Sequence, residues 1–111
     1  MGEPILSRGD MPGIIEILAE REGPTGWTFD VQEIREDGRL ARTVLTLSWQ
    51  DYDFFCPDGA VPPEQVARAV AEVARELWDG GIPARLDASQ PRKKAADADR
   101  RIIERVDMRA M

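Results

Sequence analysis

Trp27-Thr28-Phe29-Asp30-Val31-Gln32 and Ala41-Arg42-Thr43-Val44-Leu45-Thr46-Leu47-Ser48-Trp49, joined through Glu36-Asp37-Gly38, decide the fold. In the first run Trp27, Phe29 and Val31 fall on one face and Thr28, Asp30 and Gln32 on the other, the alternation of a half-buried strand. In the second, Ala41, Thr43, Leu45, Leu47 and Trp49 share a face. The turn sets the register. A two-residue Asp37-Gly38 turn opposes Phe29 to Thr46 and puts the two apolar rows on opposite faces. A three-residue Glu36-Asp37-Gly38 turn opposes Trp27 to Leu47, Phe29 to Leu45 and Val31 to Thr43. A slip of one residue moves every side chain to the wrong face, so the second register is expected. It needs a type I turn followed by Gly38 in the left-handed region, as a bulge.

Working outward, Ile14 to Arg21 reads as a further strand, because Ile14, Ile15 and Ile17 are β-branched and Gly23-Pro24 stops the run. Leu18, Ala19 and Glu20 keep a helix open as the alternative. Residues 1–13, with Gly2, Pro4, Gly9, Pro12 and Gly13, read as a loose leader. After the hairpin, Ser48 and Asp51 form a variant capping box, which predicts one helical turn ended by Cys56-Pro57-Asp58-Gly59.

The clearest helix starts at Pro62-Pro63-Glu64, carries Val66, Val70, Val73 and Leu77 on one face widened by Ala69 and Ala74, and ends at Gly80-Gly81. Residues 82–88 read as an extended segment or short edge strand, since Pro83 forbids a central one. Ser89 is expected to cap a last helix over about residues 91–108, apolar along Ala95, Ala98, Ile102 and Val106. Arg92, Lys93 and Lys94 sit at its dipole-disfavoured start, so it should be firm only from about Ala95. The fold class expected is α+β: an antiparallel sheet of about three strands packed against one main helix, with a second C-terminal helix. Residues 14–111 would form a single domain.

Composition removes whole classes of chemistry. The 111 residues include no histidine and a single cysteine, Cys56. Imidazole-dependent catalysis, histidine metal sites, internal disulfides and thiolate zinc clusters are therefore excluded. No window approaches the roughly 18 apolar residues of a spanning helix, and the first residues lack a secretory pattern. A cytoplasmic protein without membrane contact is expected. The net charge of −6 is uneven: residues 1–84 hold 7 basic and 16 acidic side chains, residues 85–111 hold 8 and 5. The body should repel nucleic acid and the tail attract it.

Few constellations carry chemistry. Asp51, Asp53 and Asp58 invite a calcium loop, but the sixth position counted from Asp51 is Cys56 and the twelfth is Pro62, so they read as capping and turn carboxylates. Asp53, Phe55 and Asp58 around Cys56 argue against a reactive thiolate. No glycine-rich phosphate loop occurs, and nothing calls for a metal or cofactor.

Trp49, Tyr52, Phe54 and Phe55 cluster too closely for one short helix to bury them all. With Trp49 and Phe54 facing the core, Tyr52 and Phe55, rimmed by Asp51 and Asp53, make a candidate partner surface. Satellite core packing is the plainer reading of the same residues. Arg92, Lys93, Lys94, Arg100 and Arg101 are candidate anion contacts, against the plainer reading of a solvated face or a contact with the acidic body. The absence of aromatics after Trp78 makes nucleic acid the weaker partner. Asp97 and Arg101 form a helical i, i+4 pair.

Gly26-Trp27-Thr28-Phe29, Leu45 to Tyr52, Val61-Pro62-Pro63-Glu64 and Ile82 to Asp87 together resemble a set of small uncharacterised bacterial proteins, over roughly residues 14–103. The resemblance implies a bacterial cytosolic α+β domain and brings no activity. The leading expectation is a non-enzymatic protein-interaction domain, self-associating through a sheet edge or the aromatic loop. The alternative is a small-molecule or enzyme module whose site forms at an oligomer interface; nucleic-acid contact through the basic helix ranks third.

Overall fold

The computed structural model describes residues 14–110, so the expected leader at residues 1–13 lies outside the described residues. The order is β1 (Ile14–Glu22), β2 (Gly26–Ile34), β3 (Leu40–Ser48), α1 (Trp49–Phe55), α2 (Pro63–Leu77), β4 (Arg85–Asp87), α3 (Pro91–Lys94) and α4 (Ala98–Ala110). The class is α+β. The sheet has four strands in the order β1-β2-β3-β4. The expected three antiparallel strands gain a fourth, β4, which pairs parallel to β3 through Val44–Arg85, Leu45–Leu86 and Thr46–Asp87 and makes the sheet mixed. β4 lies at an edge of the sheet, as expected for the segment around Pro83.

β2 and β3 pair as the three-residue turn requires, Trp27 with Leu47, Phe29 with Leu45 and Val31 with Thr43. The turn closes with Gly38 N–H donating to the Arg35 carbonyl (2.9 Å) and Arg35 N–H to that of Arg39 (2.9 Å). Gly38 has φ +88°, and an added Cβ there would meet nothing within 4 Å. The cost of Gly38→Ala is therefore purely conformational. We expect about 1 kcal/mol of lost stability in urea unfolding; an unchanged midpoint would mean that the turn has another form.

β1 is a strand, with a register shift between Ile17 and Ala19 that leaves Leu18 as the bulged residue. The buried face of the sheet presents Ile15, Phe29, Val31, Leu45, Leu47 and Leu86 to Val66, Val70 and Val73 of α2. Trp27 is half-buried, its indole edge-on to Tyr52 at 5.4 Å. The opposite face is a polar ladder: Arg42 donates to Gln32 (3.1 Å), Gln32 donates to Glu16 (3.1 Å), and Arg21 holds Asp30 through two bonds. Ala67, Ala69, Ala71 and Ala74 of α2 are buried as well, because α4 packs on α2, with α1 and α3 beside it. α2 is thus the middle of three layers.

The expected single helix over about 91–108 is two helices. Ala95 is extended, at φ −146° and ψ +136°, and the break lets Arg92 reach Asp99 (3.1 Å) and Asp51 (3.4 Å) together. Nor does Ser89 cap α3. Gln90 holds that position without a side-chain capping bond, its Oε1 accepting instead from the Asp87 N–H (2.6 Å), while the Ser89 hydroxyl donates to Asp87 (2.5 Å). Asp87 also accepts from the Thr46 hydroxyl (2.5 Å), fastening β4 to β3.

Two carboxyls make this fold acid-sensitive. Burial by itself would raise the Asp87 pKa, but its bonds from Ser89 and Thr46 and the nearby Arg92 charge hold it below the ordinary value. Glu76 behaves likewise, burial being outweighed by Arg105 and Arg101. Folded pKa values below the unfolded ones stabilise above the ordinary carboxylate range, and that stability is lost as pH falls through the folded values. Unfolding free energy should therefore decline below about pH 4. Asp87→Asn should be less stable at neutral pH and decline less in acid; parallel pH curves for variant and parent would refute this.

Candidate functional site

The aromatic segment is reorganised relative to expectation. β3 ends at Ser48, whose hydroxyl accepts from the Asp51 N–H (3.0 Å), so Trp49 is the first helical residue and leaves the alternation of the strand. The helix then turns Asp51, Tyr52 and Phe55 inward. Phe55 is fully buried, while Trp49 and Phe54 are 45% and 51% exposed. The expected assignment of Trp49 and Phe54 to the core and Phe55 to a partner surface is corrected accordingly. Tyr52 is half-buried, its hydroxyl donating to the Val61 carbonyl (2.5 Å), and burial raises its pKa, with help from Cys56. Asp51 is tied to Arg92; Asp53 is exposed. Cys56 is buried, its Sγ 3.7 Å from Asp58.

The candidate anion contacts are largely matched within the chain. The Arg92 guanidinium lies 5.5 Å from the Phe54 ring and 5.9 Å from that of Phe55. Arg100 pairs with Glu104 (3.3 Å) and Asp97 (3.6 Å), and Arg101 with Glu76 and Asp97. Arg105 and Arg109 reach Glu76 (2.6 Å) and Glu72 (2.7 Å) on α2. Lys94 lies 5.4 Å from the Trp78 ring, and Lys93 is exposed. The basic tail therefore docks on the acidic face of the body. Among the described residues no group of three or more His, Cys, Asp or Glu is placed to hold a metal ion.

The most developed site lies where none was expected. The inward row of β2 runs Trp27, Phe29, Val31 and then Glu33, paired with Ile15 and Ala41. Alternation thus delivers a carboxylate to the buried face, and Glu33 is only 4% exposed. Arg35 follows where the strand gives way to the turn. Across from it, α2 contributes Arg75 in its last turn and Trp78 at its C-terminal cap, whose N–H donates to Ala74 (3.0 Å). Gly80-Gly81 then turns the chain away. The Arg35 guanidinium fills the space that a side chain at Gly81 would need, its Cζ only 2.6 Å from where that Cβ would stand.

These residues, with Glu36, Asp37 and Asp79, line an open cleft of about 390 Å³. Glu33 Oε1 and the Nε atoms of Arg35 and Arg75 are all buried there without a hydrogen-bond partner. Glu33 Oε1 and Arg35 Nε stand 3.5 Å apart, close enough for charge attraction but without hydrogen-bond geometry. A buried polar atom left unpaired costs about 1–3 kcal/mol, and folded proteins retain few of them. Here the acceptor and one donor face each other, and the second donor belongs to Arg75, which lines both this cleft and the recess beside it. The lining sums to four carboxylates and two guanidiniums, with Asp37 already bonded to Arg39 (2.9 Å). A second recess, of about 290 Å³, is lined by Arg68, Arg105 and, from its other side, the same Arg75; Arg68 is paired with Glu64 and Arg105 with Glu72 and Glu76, although Arg105 Nη1 is left without a hydrogen-bond partner.

The signal for this site was a single residue: an acidic side chain continuing an apolar row of period two. No family model, no curated protein and no solved structure matches the chain.

Proposed function

We propose that the protein is a binding module for a small polar molecule that carries both a cationic and an anionic group, held in the cleft between the β2–β3 turn and the end of α2. The observation that carries this reading is the buried Glu33 carboxylate oxygen, without a hydrogen-bond partner, in the wall of a cleft also lined by Arg35 and Arg75, whose Nε atoms lack hydrogen-bond partners too. A ligand that presents a donor and an acceptor side by side suits Glu33 and Arg35, which stand 3.5 Å apart, and the cleft volume falls within the roughly 300–1,000 Å³ of small-molecule sites. Unlike the oligomer-interface site that was the alternative from sequence, this one is built within one chain.

The test is an amide chemical-shift titration with a panel of the free amino acids. Shifts confined to Glu33–Gly38 and Trp78–Gly81, and lost in Glu33→Gln, support the reading. A panel that leaves these amides unmoved overturns it.

A second reading, contact with a protein partner or a second copy, draws support from Trp49 and Phe54, half-exposed on α1 and of the residue type enriched at interfaces. Self-association through the sheet edge has less support. β1 is bulged at Leu18, lined by Glu16, Glu20 and Glu22, and has its Ile15 carbonyl taken by Arg68 (2.5 Å), all devices that guard an edge. Sedimentation of the parent and of Trp49→Ser/Phe54→Ser decides this reading: a parent oligomer abolished in the variant supports it, and a parent that is monomeric at all concentrations removes self-association.

A further inference from the structure

Resting on the reading of the cleft as a binding site, we infer that its ligand is a free basic amino acid, a molecule with one carboxylate, an adjacent ammonium and a second, distant cation. The three buried unpartnered atoms dictate the first two groups. The Nε atoms of Arg35 and Arg75 call for an acceptor, and a carboxylate bonded to guanidinium is the stronger form of such a contact. Glu33 Oε1, buried on the strand, has the Arg35 charge beside it but no hydrogen bond, and an ammonium supplies the missing donor.

The charge of the lining dictates the third group. Its carboxylates outnumber its guanidiniums by four to two, so a neutral zwitterion leaves the cleft negative. With Asp37 engaged by Arg39, the carboxylates at the mouth are Glu36 and Asp79, both exposed. Neither has an ion-pair partner among the described residues. A cationic side chain reaching outward from a buried amino-carboxylate head meets them. A phosphate or dicarboxylate would instead bring its charge against this acidic rim.

The experiment compares three probes on the full chain by amide chemical-shift titration: L-lysine, L-norleucine, which lacks the distant cation, and cadaverine, which lacks the carboxylate. Lysine should bind tightest at Glu33–Gly38 and Trp78–Gly81. Norleucine should bind about threefold more weakly, as suits an ion pair at an exposed rim. Cadaverine should bind at least about tenfold more weakly, as suits the loss of charged hydrogen bonds. Glu33→Gln, confirmed folded by its amide spectrum, should weaken lysine at least about tenfold; the probe series stands even if that variant fails to fold.

Norleucine binding as tightly as lysine, or cadaverine as tightly as either, overturns the basic amino acid while leaving the cleft a binding site. If no probe moves these amides, and a crystal grown with lysine shows ordered water only against Glu33, the cleft reading itself falls.

Discussion

Replacing Phe55 by alanine should lower the unfolding free energy by about 3–5 kcal/mol, the cost of truncating a buried aromatic side chain. Phe54→Ala, one residue away, should cost about 1 kcal/mol or less, since Phe54 is half-exposed and loses chiefly its edge-on contact with Phe55 and the cation of Arg92. Urea unfolding of the two variants side by side gives the contrast. It follows from the start of α1 at Trp49. A helix beginning one residue earlier would rotate every side chain by about 100° and put Phe54 in the buried position that Phe55 holds. Equal losses would mean that the phase of α1 is wrong. The comparison also separates packing from recognition: a surface aromatic that contacts a partner is dispensable for stability, and Phe55 is not.

The second large effect belongs to Gly26. It opens β2 opposite Ser48, with its carbonyl accepting from Gly23 N–H (2.7 Å). A Cβ at this position would overlap the Leu47 carbonyl oxygen and stand 2.7 Å from Ser48 Cα. Both obstacles are backbone and cannot rotate aside. Gly26→Ala should therefore cost about 3 kcal/mol or more, and it should disturb α1, because the Trp49 N–H donates to Thr25 (3.0 Å) beside it. Gly23→Ala is the control: a Cβ there meets only the Gly26 carbonyl oxygen at 3.9 Å, an ordinary contact. The midpoint of thermal unfolding should fall sharply in the first variant and little in the second; comparable midpoints would show that this corner yields.

The hairpin was legible because two local signals agreed. The apolar rows on β2 and β3 demanded one register, and Glu36-Asp37-Gly38 was the turn chemistry that supplies it. α2 was legible for the same reason, its apolar period agreeing with prolines at one end and glycines at the other. Where the period changes, legibility stops. Trp49 continues the strand alternation in the sequence, and only the capping bond of Ser48 ends that phase and begins another. The break at Ala95 carries no glycine or proline; it is held by the attraction of Arg92 for two acidic residues from different elements. The pairing of β4 with β3 is likewise tertiary, and nothing in Arg85-Leu86-Asp87 names its neighbour or direction. Glu33 was present in the pattern as an acidic residue on an apolar row, a conflict between local character and position of the kind that marks binding sites. The other walls of that cleft, Arg75 and Trp78, come from the end of α2 and have no spacing relation to it.

The parallel pairing of β4 sets an order of assembly. β2 and β3 zip from their own turn, where Ile34 already faces Leu40. Leu86 meets Leu45 only after the intervening chain has run out through α1 and back through α2, and contacts so distant along the chain are slow to form. In pulse-labelled refolding the amide of Leu45 should gain protection before that of Ala88, which donates to Thr46 in the last rung to close. Until that rung closes, the buried side of β3 has an open flank, and the refolding chain is at its most adhesive there.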